Sequence, residues 1–288
     1  MNPTFHEVLP DLQVSHATVR FGGLIAVNDV SLNGRAGTIT GLIGPNGAGK
    51  TTTFNACTGA VPLSSGRVEL GAYRLDQHST SVRASHGLGR TFQRMELYDS
   101  MTVSENVALG PEAAYSSRRP WSQLFSPPRQ QREIRRRSES AIALCGIGPL
   151  RSRIAGDLST GQRRLVELAR AIASPFRFLL LDEPSSGLDP GETERFGQIL
   201  KGYVDETGIG IVLVEHDMAL VAAVCSYIYV LDFGRQIFSG TTEETLRSEI
   251  VKASYLGSEA VDADEELDQD EAAWDPYDAP ELSVTRGV

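Results

Sequence analysis

The apolar residues near the N-terminus fall into short runs separated by turns. Leu12–Phe21 is rich in β-forming residues, and the pair Gly22-Gly23 that follows it is typical of a turn. Apolar positions resume at Leu24–Val27 and again at Val30–Leu32. Runs of this length, bounded by turn residues, predict short β-strands.

Two further patterns indicate how strands and helices are combined. Thr38–Ile43 is an apolar run that enters a glycine-rich loop, and the residues beyond the loop predict a helix from about Lys50 to Thr58 that ends at Gly59. From Phe176 to Val230, strand-like runs alternate with helical ones. This alternation is typical of a parallel sheet with crossover helices.

The middle of the chain has no strong strand pattern. Residues 93–175 contain a loop rich in Pro, Ser and Arg near 118–128, followed by two helical stretches. The second stretch has apolar residues at i, i+3, i+4 and i+7, namely Leu165, Leu168, Ala169 and Ile172. We therefore expect an α/β core made of residues 11–93 and 176–257, interrupted by a mostly helical insertion at about 94–175.

The net charge of −10 is confined to the C-terminal segment. Residues 258–288 hold eleven acidic residues and one basic residue, so this segment carries the whole net charge. An acidic composition with few large apolar side chains predicts a disordered tail. The rest of the chain is neutral overall, so its composition does not favour nucleic acid as a partner.

The sequence also bears on location and on the cysteines. No apolar run approaches the ~18 residues that a membrane span needs. The first ten residues contain no Lys or Arg, unlike a signal peptide. We expect a soluble chain whose work at a membrane depends on partner chains. Cys57, Cys145 and Cys225 form no CxxC pair, which predicts free buried thiols.

Residues 44–51, Gly-Pro-Asn-Gly-Ala-Gly-Lys-Thr, fit the phosphate-binding pattern GxxxxGK[ST]. The alternative is a glycine turn that binds nothing, but the motif follows an apolar strand and opens a helix, as phosphate binding requires. Lys50 would reach the β- and γ-phosphates, and the Thr51 hydroxyl would bind Mg²⁺. The candidate nucleotide-binding residues here are Gly44, Asn46, Gly47, Ala48, Gly49, Lys50, Thr51 and Thr52.

Two adjacent carboxylates follow a second apolar run. Phe178–Leu181 is typical of a buried strand, and such a strand delivers Asp182 and Glu183 to the sheet edge where α/β proteins bind ligands. Because side chains alternate along a strand, we expect the two acids to point apart and to have different roles. Asp182 is suited to the Mg²⁺ shell and Glu183 to activating water. A solvated strand end is the alternative.

A second candidate anion site lies at another helix N-terminus. Leu158–Gln162 has the sequence Leu-Ser-Thr-Gly-Gln and precedes a strongly periodic helix. Ser159 is a good N-cap, and Gly161 permits close approach to the backbone. An ordinary serine cap without any ligand is the alternative interpretation.

Together, these motifs resemble the ATPases of ABC transporters. Residues 158–162 resemble the family signature LSGGQ, with Thr160 in place of a glycine. The resemblance implies a P-loop NTPase (RecA-like) core with an antiparallel β subdomain and an inserted α-helical subdomain. It covers about residues 11–257 and implies ATP and Mg²⁺ as ligands.

The resemblance also implies roles for single residues. Gln93 is similar to the Q-loop glutamine, a catalytic residue and Mg²⁺ ligand, and Asp189 in Gly187–Asp189 is similar to the D-loop aspartate. His216 resembles the switch histidine that contacts the γ-phosphate, although a histidine at a strand end is often structural. Phe21 resembles the aromatic residue that stacks on adenine, with core packing as the alternative. Ser159, Gly161 and Gln162 would bind nucleotide in a second subunit.

Within this family, the sequence most resembles the ATPase subunits of branched-chain amino acid importers. The stretches that carry this resemblance are Arg20–Gly23, Arg90–Gln93, Met101–Asn106, Glu215–Met218 and Tyr255–Gly257. Relatives that serve urea transport or lipopolysaccharide export share several of them. Non-transport ABC ATPases, in translation or DNA repair, are a further alternative, but the single ATPase unit and the lack of heptads disfavour them.

The resemblance implies several partners and a location. Two ATPase subunits, identical or paralogous, would form a head-to-tail dimer on transmembrane permease subunits, at the cytoplasmic face of the membrane. A periplasmic or extracytoplasmic substrate-binding protein would take part indirectly. The residues after Gln93, including Met95, Leu97 and Tyr98, are candidates for the permease-docking surface, with ordinary packing as the alternative.

Overall fold

A computed structural model describes residues 9–91, 96–116 and 127–255 of the 288-residue chain. Four sequence predictions therefore lie outside the described residues: the positions of Gln93 and of Met95, most of the loop at 118–128, and the acidic tail at 258–288. The division of the chain at residues 94 and 175 likewise stays a prediction.

The described strands form two sheets. The first is antiparallel, with the order β2-β1-β4-β5, and the second has the order β10-β9-β3-β8-β7-β6. All neighbours in the second sheet are parallel except β9 and β10. The strands are β1 (Leu12–Phe21), β2 (Leu24–Gly34), β3 (Ile39–Ile43), β4 (Ser65–Leu70), β5 (Tyr73–Arg74), β6 (Leu88–Arg90), β7 (Phe178–Asp182), β8 (Gly210–Val214), β9 (Tyr227–Asp232) and β10 (Arg235–Thr241).

Helices cover the second sheet and connect its parallel strands. They are α1 (Lys50–Thr58), α2 (Thr80–Ser85), α3 (Val103–Ser116), α4 (Pro128–Leu144), α5 (Thr160–Ala173), α6 (Pro190–Thr207), α7 (Met218–Val224) and α8 (Thr242–Arg247). The predicted strand–helix alternation and parallel sheet are therefore confirmed, as are the helix Lys50–Thr58 and its end at Gly59. One difference concerns β2, which is a single continuous strand rather than two short ones.

The side-chain alternation of β7 separates two hydrophobic cores. Phe178 and Leu180 belong to the core between the antiparallel sheet, α1 and the parallel sheet. Leu179 and Leu181 belong to the core that the remaining helices form on the other face. Both faces of the parallel sheet are buried, which explains why its strands are uninterrupted apolar runs in the sequence.

Three helices, α3, α4 and α5, lie between β6 and β7 and pack on one another. The two helical stretches predicted after the loop correspond to α4 and α5. Helix α3 precedes the loop and was not predicted; it contains Pro111 in its interior. Gly110 permits its close contact with α5, because a Cβ at this position would collide with the Arg170 carbonyl.

Two predictions about the whole chain can be compared with the described ranges. None of the helices found there combines the length and the apolarity that a membrane span requires. Cys57, Cys145 and Cys225 are all free and buried, as the sequence predicted. Burial raises the pKa of each of these thiols to about 12, so they are unreactive at neutral pH.

Candidate functional site

The loop between β3 and α1 has the backbone conformation of a phosphate cradle. Gly44, Gly47 and Gly49 have positive φ values, which side-chain-bearing residues rarely adopt. At Gly44 a side chain is also excluded sterically, because its Cβ would collide with the Leu231 carbonyl oxygen. The loop ends at the N-terminus of α1, so its backbone N–H groups and the helix dipole favour an anion at the same place.

Lys50 is held inside this loop. Its ammonium group donates to the carbonyl oxygens of Gly44 at 2.6 Å and Pro45 at 3.0 Å. The side chain is buried, and this burial lowers the Lys50 pKa, while nearby Glu183 and Asp182 act in the opposite direction. A cation in a desolvated cradle binds phosphate oxygens more strongly than an exposed lysine would.

A cavity of about 540 Å³ lies over the phosphate loop. Its lining contains residues 46–52, which are the seven predicted nucleotide-binding residues of this loop after Gly44, together with Glu183. The first three residues of β2, Leu24, Ile25 and Ala26, form the apolar side of the cavity. The sequence motif and one of the two predicted carboxylates are thus brought to one cavity.

Phe21 lies at the edge of this cavity rather than in its lining. It ends β1, is 50% exposed, and pairs across the hairpin with Leu24, which does line the cavity. This exposure contradicts the alternative that Phe21 is a core residue. The aromatic residue that sequence reasoning missed is Phe233, which is 87% exposed, has a φ of 43°, and lines the cavity from the β9–β10 turn.

Asp182 and Glu183 lie in different surroundings. Asp182 ends β7 and is buried, whereas Glu183 lies beyond the strand with a φ of 46° and is half-buried at the cavity. The positive φ of Glu183, rather than the pleat of a continuing strand, turns its side chain toward the phosphate loop. A non-glycine residue in this conformation is strained, and such strain is concentrated at functional sites.

Asp182 has the environment of a carboxylate that needs a further partner. Its Oδ2 atom accepts from the Arg90 guanidinium at 2.7 Å, in an ion pair that is almost fully buried. Its Oδ1 atom is buried and has no hydrogen-bond partner among the described residues. Burial raises the Asp182 pKa, whereas Arg90 favours the ionised form. An orphaned carboxylate oxygen of this kind suits an oxygen-binding cation such as Mg²⁺.

The connection that follows β8, the strand next to β7, contains the predicted switch histidine and a residue to which the sequence assigned no role. His216 is exposed in the short connection between β8 and α7. Glu215, which precedes it, is completely buried and accepts hydrogen bonds from the backbone N–H groups of Ser185 at 2.9 Å and His216 at 3.3 Å. Glu215 therefore ties the histidine-bearing loop to the loop after Glu183.

The second candidate anion site is well formed. Ser159 is the N-cap of α5 and forms a capping box with Gln162. Gly161 packs against Glu192 so closely that a Cβ at this position would collide with the carboxylate. Asp189 is the N-cap of α6 and forms its own capping box with Glu192. The signature and the D-loop candidates therefore lie next to each other, and none of Ser159, Gly161, Gln162 and Asp189 lines the cavity over the phosphate loop.

Comparison with known proteins decides what this combination of motifs is. The family model described as "ABC transporter" matches residues 27–186. The chain belongs to the ABC transporter family. As a member it is an ATP-binding and ATP-hydrolysing subunit of a transporter.

Individual relatives extend this result over most of the chain. The high-affinity branched-chain amino acid transport ATP-binding protein LivG of Salmonella typhimurium is 37% identical, across 86% of this chain and 98% of the relative. The lipopolysaccharide export system ATP-binding protein LptB of Escherichia coli is 34% identical, across 83% of this chain and 94% of the relative. A crystal structure of the ADP conformation of an ABC transporter cassette superposes with a TM-score of 0.75 at 27% identity. The match covers 86% of this chain and 99% of the cassette.

The structural likeness confirms the fold class. The solved cassettes share the α/β architecture described above, with its antiparallel and parallel sheets. The roles of single site residues are a separate question, since they rest on this chain's own geometry and on motif resemblance.

Proposed function

We propose that this ABC ATPase powers the import of branched-chain amino acids. The observation that carries the proposal is the 35–37% identity to the ATP-binding proteins LivG and BraF of such transporters, over nearly their full length. The alternative is lipopolysaccharide export, which the 34% identity to LptB supports less strongly. Permease subunits would be the transmembrane partners, with a substrate-binding protein acting through them and no nucleic acid involved.

In the proposed catalytic site, the phosphate loop binds the ATP phosphates and Glu183 activates water. Lys50 and the loop N–H groups hold the β- and γ-phosphates. The Glu183 carboxylate takes a proton from water as the water oxygen attacks the γ-phosphorus, and the bond to the ADP oxygen breaks. His216 contacts the γ-phosphate, Gln93 contacts the attacking water, and Phe21 stacks on the adenine. The position of Glu183 in the cavity over the phosphate loop supports this assignment.

Magnesium is part of the proposal. Asp182, Thr51 and Gln93 would hold the ion, and its charge would neutralise the phosphate oxygens as negative charge develops on them. The orphaned Oδ1 atom of Asp182 supports a cation at this position. Thr51 is exposed in the lining of the same cavity. Gln93 lies outside the described residues, so its part rests on motif resemblance alone.

We infer that the complete site needs two ATPase subunits arranged head to tail. Ser159, Gly161, Gln162 and Asp189 form one cluster, and this cluster does not line the chain's own phosphate cavity. A helix N-terminus shaped for an anion would then act on the ATP bound by the second subunit. The second subunit is a paralogue or another copy of this chain.

A groove next to the Q-loop segment supports a permease-docking surface at the cytoplasmic face of the membrane. This groove, of about 480 Å³, lies between β6 and helices α3 and α5. Its lining includes Tyr98, which is 57% exposed, and Glu96, both within a few residues of Gln93. Exposed aromatic residues beside a groove are typical of protein–protein contacts.

Uptake by whole cells tests the transport assignment. Cells that lack this chain should take up labelled leucine, isoleucine and valine more slowly than the parent, and re-expression of the chain should restore uptake. Re-expression of the Lys50→Ala variant provides the matched control, because this variant lacks the phosphate-binding ammonium group. Normal uptake of all three amino acids, in a strain without redundant importers, would contradict the proposal.

A further inference from the structure

The first turns of helix α5 contain a buried ion pair that the proposed catalytic mechanism does not use. The Arg164 guanidinium donates to the Glu167 carboxylate at 3.1 Å, and both side chains are 7% exposed. Burial of two charges is costly unless additional hydrogen bonds satisfy them. The remaining contacts of these two side chains therefore indicate what the pair holds in place.

The arginine end of the pair contacts the loop that follows the catalytic carboxylate. The Nε atom of Arg164 donates to the Ser186 carbonyl oxygen at 3.2 Å. Ser186 lies in the loop between Glu183 and the D-loop candidate Asp189. The backbone N–H of the preceding residue, Ser185, donates to Glu215. Movement of Arg164 along the α5 axis would thus displace this loop.

The glutamate end of the pair contacts the groove proposed for permease docking. Glu167 accepts a hydrogen bond from the backbone N–H of Glu96, and this bond opposes the rise that burial produces in its pKa. Arg170, one turn further along α5, donates to the Glu96 carbonyl oxygen at 2.6 Å. Both polar groups of the Glu96 peptide backbone are therefore bound to α5, and Glu167 and Arg170 themselves line the groove.

We propose that the Glu96–Glu167–Arg164–Ser186 chain of contacts transmits permease docking to the catalytic loop. Arg164 and Glu167 are positioning residues: they act through Ser186 and the neighbouring Glu183, and they do not touch nucleotide. This inference rests on the proposed function, since it requires that a permease occupies the groove beside Glu96.

The physical basis is that the contacts are rigid and have few alternatives. All three links are made to backbone atoms or within one helix, so they cannot be relaxed by a side-chain rotation at the exposed surface. The central pair is excluded from water, where breaking either partner leaves an uncompensated charge. A shift of the Glu96 segment is therefore passed to α5, and from α5 to the loop that carries Glu183.

The test compares permease stimulation of ATP hydrolysis in Glu167→Gln and wild-type subunits. The full chain is assayed alone and in the purified complex with its permeases, and the ratio of the two turnover rates is the readout. Glutamine keeps the shape of the side chain but removes the charge that pairs with Arg164. We expect unchanged ATP affinity and a turnover of the isolated subunit within about twofold of wild type, with a stimulation ratio reduced by about fivefold or more.

Three further measurements separate coupling from loss of folding. Glu139→Gln is the matched control, because Glu139 pairs with Arg135 on the exposed face of α4 and should leave the ratio unchanged. Arg170→Gln removes the contact with the Glu96 carbonyl from a less buried site and should also reduce the ratio. The double variant with Arg164→Gln and Glu167→Gln should reduce the stimulation ratio no further than either single variant does, because both residues act on one path.

The possible outcomes distinguish the two proposals. A wild-type subunit whose turnover the permease does not change would contradict the proposed function and the relay together. A wild-type complex that is stimulated, with Glu167→Gln and Arg170→Gln complexes stimulated to the same degree, would overturn the relay and leave the proposed function intact. Glu167→Gln leaves the Arg164 charge buried without its partner and should lower the melting temperature. Arg170→Gln, whose side chain is 20% exposed, keeps the Arg164–Glu167 pair and should melt as wild type does, so a reduced ratio in this variant is not a loss of structure.

Discussion

Glu183 has a conformation that separates its role from that of its neighbour. It is turned into the phosphate cavity by a φ of 46°, whereas Asp182 is buried against Arg90. We expect Glu183→Gln to bind ATP normally and to hydrolyse it ~10²–10⁴ times more slowly, because the positioned base is lost. Steady-state phosphate release and nucleotide titration measure the two effects.

Glu206→Gln is the control for this variant, because it neutralises an exposed acid on α6 that lies far along the chain from Asp182 and Glu183. It should leave turnover unchanged. A Glu183→Gln subunit with nearly wild-type turnover would show that another group activates the water.

Phe21 offers a second test at the residue scale. Because it is half-exposed at the rim of the cavity, Phe21→Ala should weaken ATP binding by ~1–3 kcal/mol and leave the hydrolysis step nearly intact. Titration with a fluorescent ATP analogue measures the affinity. Tyr73→Ala removes an aromatic side chain of similar exposure from β5 in the same sheet and should not change it. An unchanged affinity of Phe21→Ala would exclude stacking.

The sequence predicted the residues of the site better than their surroundings. The phosphate loop, Asp182 and Glu183 have local patterns that require particular residue types, so they could be recognised. The burial of Arg164, Glu167 and Glu215 could not be predicted, because polar residues within a periodic helix or after a strand are usually exposed. Their burial depends on what packs around them, and a local pattern does not contain that information.

At the scale of elements, helix α4 has a partly exposed acidic residue that two arginines surround. Glu133 accepts from Arg136 at 2.7 Å and from Arg137 at 2.8 Å. These arginines lower the Glu133 pKa from 4.5 to about 2. A carboxyl whose pKa is lower in the folded state stabilises the fold above its unfolded pKa, and this contribution is lost as the pH falls from about 4.5 toward about 2.

We therefore expect Glu133→Gln to reduce the free energy of unfolding at pH 7 by about 1 kcal/mol, since solvent screens pairs at this partly exposed site. Urea unfolding at several pH values measures the difference, which should shrink as the pH falls below about 4.5. Glu139→Gln removes a single pair from a more exposed acid and should have a smaller effect. A Glu133 effect that does not depend on pH would contradict the electrostatic origin.

The elements themselves could be predicted where local signals agreed with packing. Helix α1 matches its predicted bounds, because glycines flank it at both ends. Strand β2 continues past the polar residues at 28–29, where its pairing with β1 is irregular and Asp29 has a φ of 58°, because Val27 and Val30 on either side pair with Val19 and Ala17. Helix α3 was missed because Pro111 and Gly110 disfavour a helix locally, whereas its packing on α5 stabilises one.

At the scale of the whole molecule, we expect the signature cluster to act on a second subunit. Ser159→Arg should leave ATP binding to the isolated chain intact, because the cluster does not line its own phosphate cavity. It should abolish ATP-dependent dimer formation and turnover, because a large side chain would occupy the anion site. Size-exclusion chromatography with ATP and a turnover assay measure both, with Lys50→Ala as the reference for lost ATP binding. Equal loss of ATP affinity in the two variants would contradict action between subunits.

Transport by the reconstituted complex shows in one assay whether ATP hydrolysis by this chain drives amino acid import. The chain, its second ATPase subunit and its permeases would be placed in proteoliposomes with the substrate-binding protein and labelled leucine. We expect leucine accumulation that requires ATP and Mg²⁺ on the side of the ATPase subunits and that is lost with Glu183→Gln. Accumulation that continues with the Glu183→Gln subunit, or ATP hydrolysis that moves no branched-chain amino acid, would contradict it.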